Sequence, residues 1–255
     1  MIKKAVKSLF RNFGYDVVRY DRDERSRCLP SDFEKIHADI IEKVSPYTMT
    51  SSERVYALIE SVRYILNNDV SGGFLECGVC KGGSMMAVAL TLIAEGTTDK
   101  DLYLFDTFEG MPAPSEKDVE RGGGKSALEF FSEMKISDVS SSWANSPLDD
   151  VKQAMALTGY PMDKIHFVKG LVEETIPENA PEKIALLRLD TDWYQSTKHE
   201  MVHLYPRLSP RGIVIVDDYG HWAGAKDAVD EYFRSKNIAP FLHRIDYTGR
   251  LIIKE

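Results

Sequence analysis

The chain has 255 residues, enough for one large α/β domain with an appendage. Its formal net charge of −8, 43% hydrophobic and 28% charged residues argue against a nucleic-acid binder and against a disordered chain. No apolar run approaches the length of a membrane span. Three cysteines, Cys28, Cys77 and Cys80, make no disulfide framework, so a reducing, cytoplasmic setting is expected.

The charge is uneven. Residues 1–27 hold eight Lys/Arg against four Asp/Glu. Within them Ile2, Val6, Leu9, Phe10 and Phe13 fall at helical spacing among lysines. This reads as a first helix that packs on the domain or a partner subunit, or as a basic amphipathic helix in peripheral contact with an anionic membrane. The spacing predicts further helices over Ser31–Val44, with Ser31 as cap, and from Ser51 or Ser52 to Leu66. Phe74–Val79 reads as a strand, Cys80–Ser84 as a glycine turn and Met85–Glu95 as a buried helix. Leu102–Phe105 is a second strand, ending at Asp106.

Residues 111–150 are rich in Pro, Gly and Ser, and a segment this long between strands predicts an active-site lid or mobile insert. A helix from Ser146-Pro147 to Gly159, a strand Ile165–Val168 ending at Lys169-Gly170, and strands Ile184–Leu189 and Ile213–Val216 follow. The chain closes with a helix over Ala225–Ser235 and strands Leu242–Asp246 and Arg250–Ile253 around a Tyr247-Thr248-Gly249 turn. The pattern predicts a doubly wound, Rossmann-like, mostly parallel seven-stranded sheet closed by an antiparallel hairpin. The expected division is an N-terminal helical extension over 1–45 and a main domain over 46–255 carrying the insert.

Two apolar strands end in carboxylate pairs, Asp190 with Asp192 and Asp217 with Asp218. Four acids at adjacent strand ends would repel one another unless a cation joined them, and oxygen-only ligands favour Mg²⁺. The turn Gly78-Val79-Cys80-Lys81-Gly82-Gly83-Ser84 lets backbone approach a ligand, but its spacing is not that of dinucleotide binders. Glu76 before it disfavours a pyrophosphate and suits a cationic ligand with an amino-acid head, such as S-adenosylmethionine. Asp106 is placed to accept ribose hydroxyls.

Two other patterns carry less. Cys77-x-x-Cys80 begins inside a strand, where two small residues in a tight turn explain it better than a redox pair. His199-Glu200-Met201-Val202-His203 matches a zinc-protease motif, yet its histidines face away from the expected core face Thr197, Met201, Leu204, Tyr205 and Leu208.

The segments LRLDTDWYQST, LYPRLSPRG and VIVDDYG, with FLECGVCKGGS, LYLFDTFEGMP and Tyr47-Thr48-Met49, resemble the macrocin-O-methyltransferase (TylF) family. The resemblance spans about residues 47–233. It implies a class I methyltransferase fold, S-adenosylmethionine, Mg²⁺, and methylation of a hydroxyl, often on a sugar of a natural product. It also implies a homo-oligomer. The expected cofactor contacts are Thr48, Met49, Glu76, Gly78, Gly82, Ser84, Asp106 and Gly170. Asp190, Asp217 and Asp218 are the expected metal ligands and Asp192 the general base, with Asp190 and Asp192 interchangeable. The competing functions are an NAD(P)-dependent dehydrogenase, disfavoured by the glycine spacing and Glu76, and a non-catalytic binding protein of the same fold, which has no need of four clustered acids.

Overall fold

The computed structural model describes residues 29–122, 126–137 and 140–255. The amphipathic segment Ile2–Phe13 lies outside the described residues. Residues 35–255 form one compact unit, distinct from Met1–Glu34. In the described part of the smaller unit, the Phe33 N–H donates to the Pro30 carbonyl at 3.0 Å.

Seven strands run β1 (Gly73–Cys77), β2 (Leu102–Asp106), β3 (Ile165–Lys169), β4 (Ile184–Leu189), β5 (Leu208–Val216), β6 (His243–Arg244) and β7 (Arg250–Ile253). They lie in the order β3-β2-β1-β4-β5-β7-β6. The first five are parallel; β7 pairs antiparallel with β5, and β6 with β7. β1 and β4 are buried at every residue, as continuous apolar runs covered on both faces require.

The two-residue period divides the core. Phe74, Leu102, Leu104, Leu186, Ile213 and Ile215 pack with residues of helices Lys35–Val44, Ser52–Asn67 and Gly83–Ala94. Leu75, Phe105, Leu187, Leu189, Val214 and Val216 pack on the other face with residues of Tyr194–Leu204 and Ala223–Ser235. Ile40 and Val44 belong to the first of these cores, so the compact unit begins at Lys35, and the helix Lys35–Val44 sits with the main domain rather than in an extension ending at 45.

Other boundaries moved for local reasons. Helix Lys35–Val44 starts four residues after Ser31, and Ser51 is the cap of the next helix, accepting the Arg54 N–H at 3.2 Å. Strand β6 keeps two residues of the expected five. Asp246 turns its Oδ1 onto the Thr248 and Gly249 N–H groups at 2.9 and 2.7 Å, which ends the ladder. Among the described residues the insert carries the helix Ala127–Met134 and is tied down at several points, with Asp118 and Ser141 fully buried. Among the described residues no helix is long and apolar enough to cross a membrane.

Leu187 lies between Leu75 of β1 and Val214 of β5 across the sheet. Leu187→Ala is expected to lower stability by about 3 kcal/mol through lost burial and the cavity left behind, read as a lower urea midpoint at unchanged slope.

Candidate active site

Parallel pairing places every strand's carboxyl end at one edge. The ladder runs one step past the strands: the Gly78 N–H donates to the Phe105 carbonyl, Asp190 to Cys77 and Asp217 to Leu189, each at 2.9 Å. The turn after β1 and the acids after β4 and β5 are therefore level. Between them opens a cleft of about 320 Å³. Its lining includes Thr48, Met49, Gly78, Ser84, Asp106, Gly170, Asp190, Asp192, Asp217 and Asp218.

Gly78 has φ 82°, and a Cβ there would collide with the Asp190 carbonyl oxygen. The glycine therefore lets the β1 turn lie directly against the β4 end. Gly83 plays a similar part, since its Cβ would fill the space taken by Tyr47 and Thr48. Thr50 also lines the cleft, and its buried Oγ1 has no hydrogen-bond partner. A tight glycine cradle beside an orphaned hydroxyl is what a ligand-binding wall requires.

Two expected cofactor contacts fall elsewhere. Glu76 is fully buried in β1 and is absent from the cleft wall. The reason is Arg188, one strand over, whose Nη1 donates to the Glu76 carboxylate. Gly82 does not line the cleft either; it caps helix Gly83–Ala94 with φ 88°. Asp106 is on the wall, as expected of a cofactor contact, and its carboxylate also holds the turn. Its Oδ2 accepts the Val79 and Cys80 N–H groups at 2.7 and 3.0 Å, and its Oδ1 accepts Phe108 at 2.7 Å. Burial raises its pKa, and these backbone bonds oppose the rise. It braces the glycine turn.

The acids divide into two groups. Asp217 is buried, and guanidinium groups hold both its oxygens: Arg188 Nη2 on Oδ1 at 2.5 Å, and Arg54 Nη1 on Oδ2. Arg54 also bonds Asp246 Oδ2 at 3.0 Å, which joins the β6–β7 turn to the site. Asp190, Asp192 and Asp218 are half-buried, and their ligand oxygens lie within 4.8 Å of one another. That set contains Asp192 and omits Asp217, a change from the expected ligands; the two arginines are the cause. Burial first, then neighbouring carboxylates, push Asp190 and Asp218 well above the usual range, though Arg188 opposes this at Asp190. Asp192 is raised to about 7 by burial and by Asp190. Its φ of 68° is uncommon for a residue with a side chain and turns its carboxylate out of the strand line.

Three half-buried carboxylates, of which Asp190 also accepts Arg188 Nη1 at 2.7 Å, form a hard-oxygen donor set that fits Mg²⁺. Among the described residues no other group has metal-ligand geometry. The His199 and His203 rings lie 4.4 Å apart, tilted by 43°, and His199 Nε2 meets the Ile176 carbonyl at 3.0 Å. Glu200 of the same motif points inward, accepting the Thr191 hydroxyl at 2.9 Å; burial lifts its pKa to about 8. Cys77 and Cys80 are free thiols, and burial pushes both thiol pKa values up.

Sequence reasoning missed Arg188 and Arg54. A lone arginine inside the apolar run Ile184–Leu189 was the available signal, because an unpaired charge there would be prohibitive. It also missed the tryptophans: Trp143 and Trp222 line the cleft.

Sheet order, glycine turn and acid edge together define a class I methyltransferase. Residues 9–254 match the sequence profile of macrocin-O-methyltransferase (TylF), and the chain belongs to that family. It is similar to the 8-demethyl-8-(2,3-dimethoxy-alpha-L-rhamnosyl)-tetracenomycin-C 4'-O-methyltransferase of Streptomyces olivaceus, with 34% identity over 80% of this chain and 74% of that one. The demethyldecarbamoylnovobiocin O-methyltransferase of Streptomyces niveus is 32% identical over 80% of this chain and 74% of its own. The solved structure of the O-methyltransferase NovP superposes with a TM-score of 0.72 and 28% identity over 82% of each chain. The protein is an S-adenosylmethionine-dependent O-methyltransferase.

Two outcomes are expected. Arg188→Met leaves Glu76, Asp190 and Asp217 without their shared cation and should cost about 3–5 kcal/mol in chemical denaturation. Glu200 sets a pH dependence. Its folded pKa is about 8 against an ordinary 4.5, so between about pH 5 and 8 the unfolded chain has released a proton that the folded chain keeps. Its contribution to stability falls as pH rises through that window and is level above it. Thermal melts should show Glu200→Gln gaining on the parent protein from pH 5 to 8.

Proposed function

We propose that the protein methylates a hydroxyl of a sugar on a glycosylated natural product or glycan, with Mg²⁺ held at Asp190 and Asp218 and Asp192 as general base. The observation that carries this reading is the three-carboxylate cluster at the ends of β4 and β5, on the wall of the cleft formed by the glycine turn. The relatives above support the acceptor class, since their names describe methylation of glycosylated or natural-product substrates. When bound, S-adenosylmethionine supplies the methyl group and the cation lowers the pKa of the acceptor hydroxyl.

The chain's own residues divide the remaining work. Gly78 and Gly83 let the backbone close around the cofactor, with Thr48, Met49, Ser84 and Gly170 on the same wall. Asp190 and Asp218 follow adjacent parallel strands, and their carboxylate oxygens come within 4.8 Å of one another. Asp192 accepts the hydroxyl proton. Asp217 anchors Arg188 and Arg54, and so fixes the edge from which Asp218 projects. Trp193 and Trp222, both buried, close the neighbouring wall to water.

The roles separate in experiment. Asp190→Asn and Asp218→Asn should lose Mn²⁺ binding, followed by paramagnetic resonance, together with turnover. Asp192→Asn should keep the ion and S-adenosylmethionine affinity while kcat falls by about 10²–10⁴-fold. Full turnover in EDTA would remove the cation from the scheme.

A further inference from the structure

The chain has three tryptophans, Trp143, Trp193 and Trp222, and all three meet on one side of the cleft. Trp193 and Trp222 are buried and pack edge to face at 5.3 Å. Trp143 comes from the insert. It is half-buried on the cleft wall, braced by Trp193 at 5.6 Å, Trp222 at 6.2 Å and Phe130 at 5.7 Å.

Its backbone is fixed as well. The Trp143 carbonyl accepts the Met111 N–H at 2.9 Å, and its own N–H donates to Ser141 Oγ at 3.3 Å. Ser141 is fully buried and donates to the Met111 carbonyl at 2.9 Å. The insert is pinned to the catalytic loops on either side. Trp193 Nε1 donates to the Pro112 carbonyl at 3.0 Å, and buried Asp118 accepts the Tyr194 N–H at 2.8 Å. Gly224 has no Cβ because one would collide with Asp118 Oδ1. Trp143 is thus a rigid, pre-positioned aromatic surface, which loses little freedom when a ligand covers it.

The charge of the cleft bears on what that surface takes. Six carboxylates and three cationic side chains line it. Arg188 and Arg54 are paired with Asp190 and Asp217 of that set, which leaves Asp106, Glu173, Asp192 and Asp218 against exposed Lys81. A nucleoside diphosphate would bring further negative charge into an acid-rich cleft. A neutral sugar ring brings none, and its C–H face is apolar and flat enough to lie on an indole.

We propose that Trp143 is an acceptor-contacting, specificity-determining residue, its indole taking the apolar face of an uncharged glycoside in preference to a sugar carried on a nucleoside diphosphate. This rests on the sugar O-methylation reading above.

The test uses the full-length protein with S-adenosylmethionine and Mg²⁺. Its probes are methyl 6-deoxyhexopyranosides and the same sugars as nucleoside diphosphate esters. The neutral glycoside should change tryptophan fluorescence on titration and be the better acceptor. Trp143→Ala should raise its KM by about tenfold or more, while kcat changes little and S-adenosylmethionine affinity by calorimetry is unchanged. Trp143→Phe should recover part of the loss. Equal or better use of the nucleotide sugar would overturn the proposal. So would a Trp143→Ala variant that loses kcat and cofactor affinity together, which marks a structural role. Glycoside binding that depends on Trp143 without any methyl transfer would sink the O-methylation reading and leave the platform standing. Turnover indifferent to Trp143 would do the reverse.

Discussion

One buried guanidinium organises this molecule. Arg188 sits near the carboxyl end of the central strand β4, 4% exposed, and bonds Glu76 of β1, Asp190 just past its own strand and Asp217 just past β5. Burial alone would depress its charge, yet three carboxylates hold it firmly protonated, well above the ordinary arginine range. Such a group is costly to desolvate, and any one of its acids is costly without it. The consequence is positional. Adjacent parallel strands already bring their ends level. The shared cation then decides which carboxylates turn inward to it and which are left facing the cleft.

That division gives the site its chemistry. Glu76 and Asp217 are neutralised inside the fold by Arg188, and Arg54 adds a second clamp on Asp217 that reaches Asp246 in the β6–β7 turn. Asp192 and Asp218 face one another with no arginine between them, joined by the outer side of Asp190. A cluster in that condition holds protons or a metal ion, because repulsion leaves no third arrangement at neutral pH. Asp106 repeats the principle on the cofactor side. It accepts three backbone N–H groups and so shapes the glycine turn.

The fold was legible because its signals are local and repeated. The apolar runs of β1, β2, β4 and β5, the glycine turn at Gly78–Ser84 and the acids at Asp190 and Asp217 each announce a strand and its end. The parts that were not legible depend on pairing between distant segments. Glu76 looked like a cofactor contact because its partner lies 112 positions away. Asp217 looked like a ligand for the same reason, its second partner being Arg54, 163 positions away. A sequence shows a carboxylate but not the cation that has already claimed it. Strand β6 failed differently: Asp246 could extend the strand or cap a turn, and two backbone N–H groups decided for the turn.

The insert shows how such a fold can change acceptor without changing chemistry. Its anchors fall on loops that the strands position: Asp118 on the Tyr194 N–H, Pro112 beneath Trp193, the Arg121 N–H on the His221 carbonyl at 2.8 Å and the Ala223 N–H on Val119 at 2.9 Å. The last two join backbone to backbone and exist whatever side chains the insert presents to the cleft, while Asp118 and the Trp193 indole add side-chain ties. The acid edge instead depends on coupled side chains, because Glu76, Asp190 and Asp217 share one arginine and Asp192 and Asp218 lie against Asp190. Selection on the acceptor can therefore act on the insert, where a substitution alters one wall. The charge-balanced edge beneath it remains fixed by electrostatics.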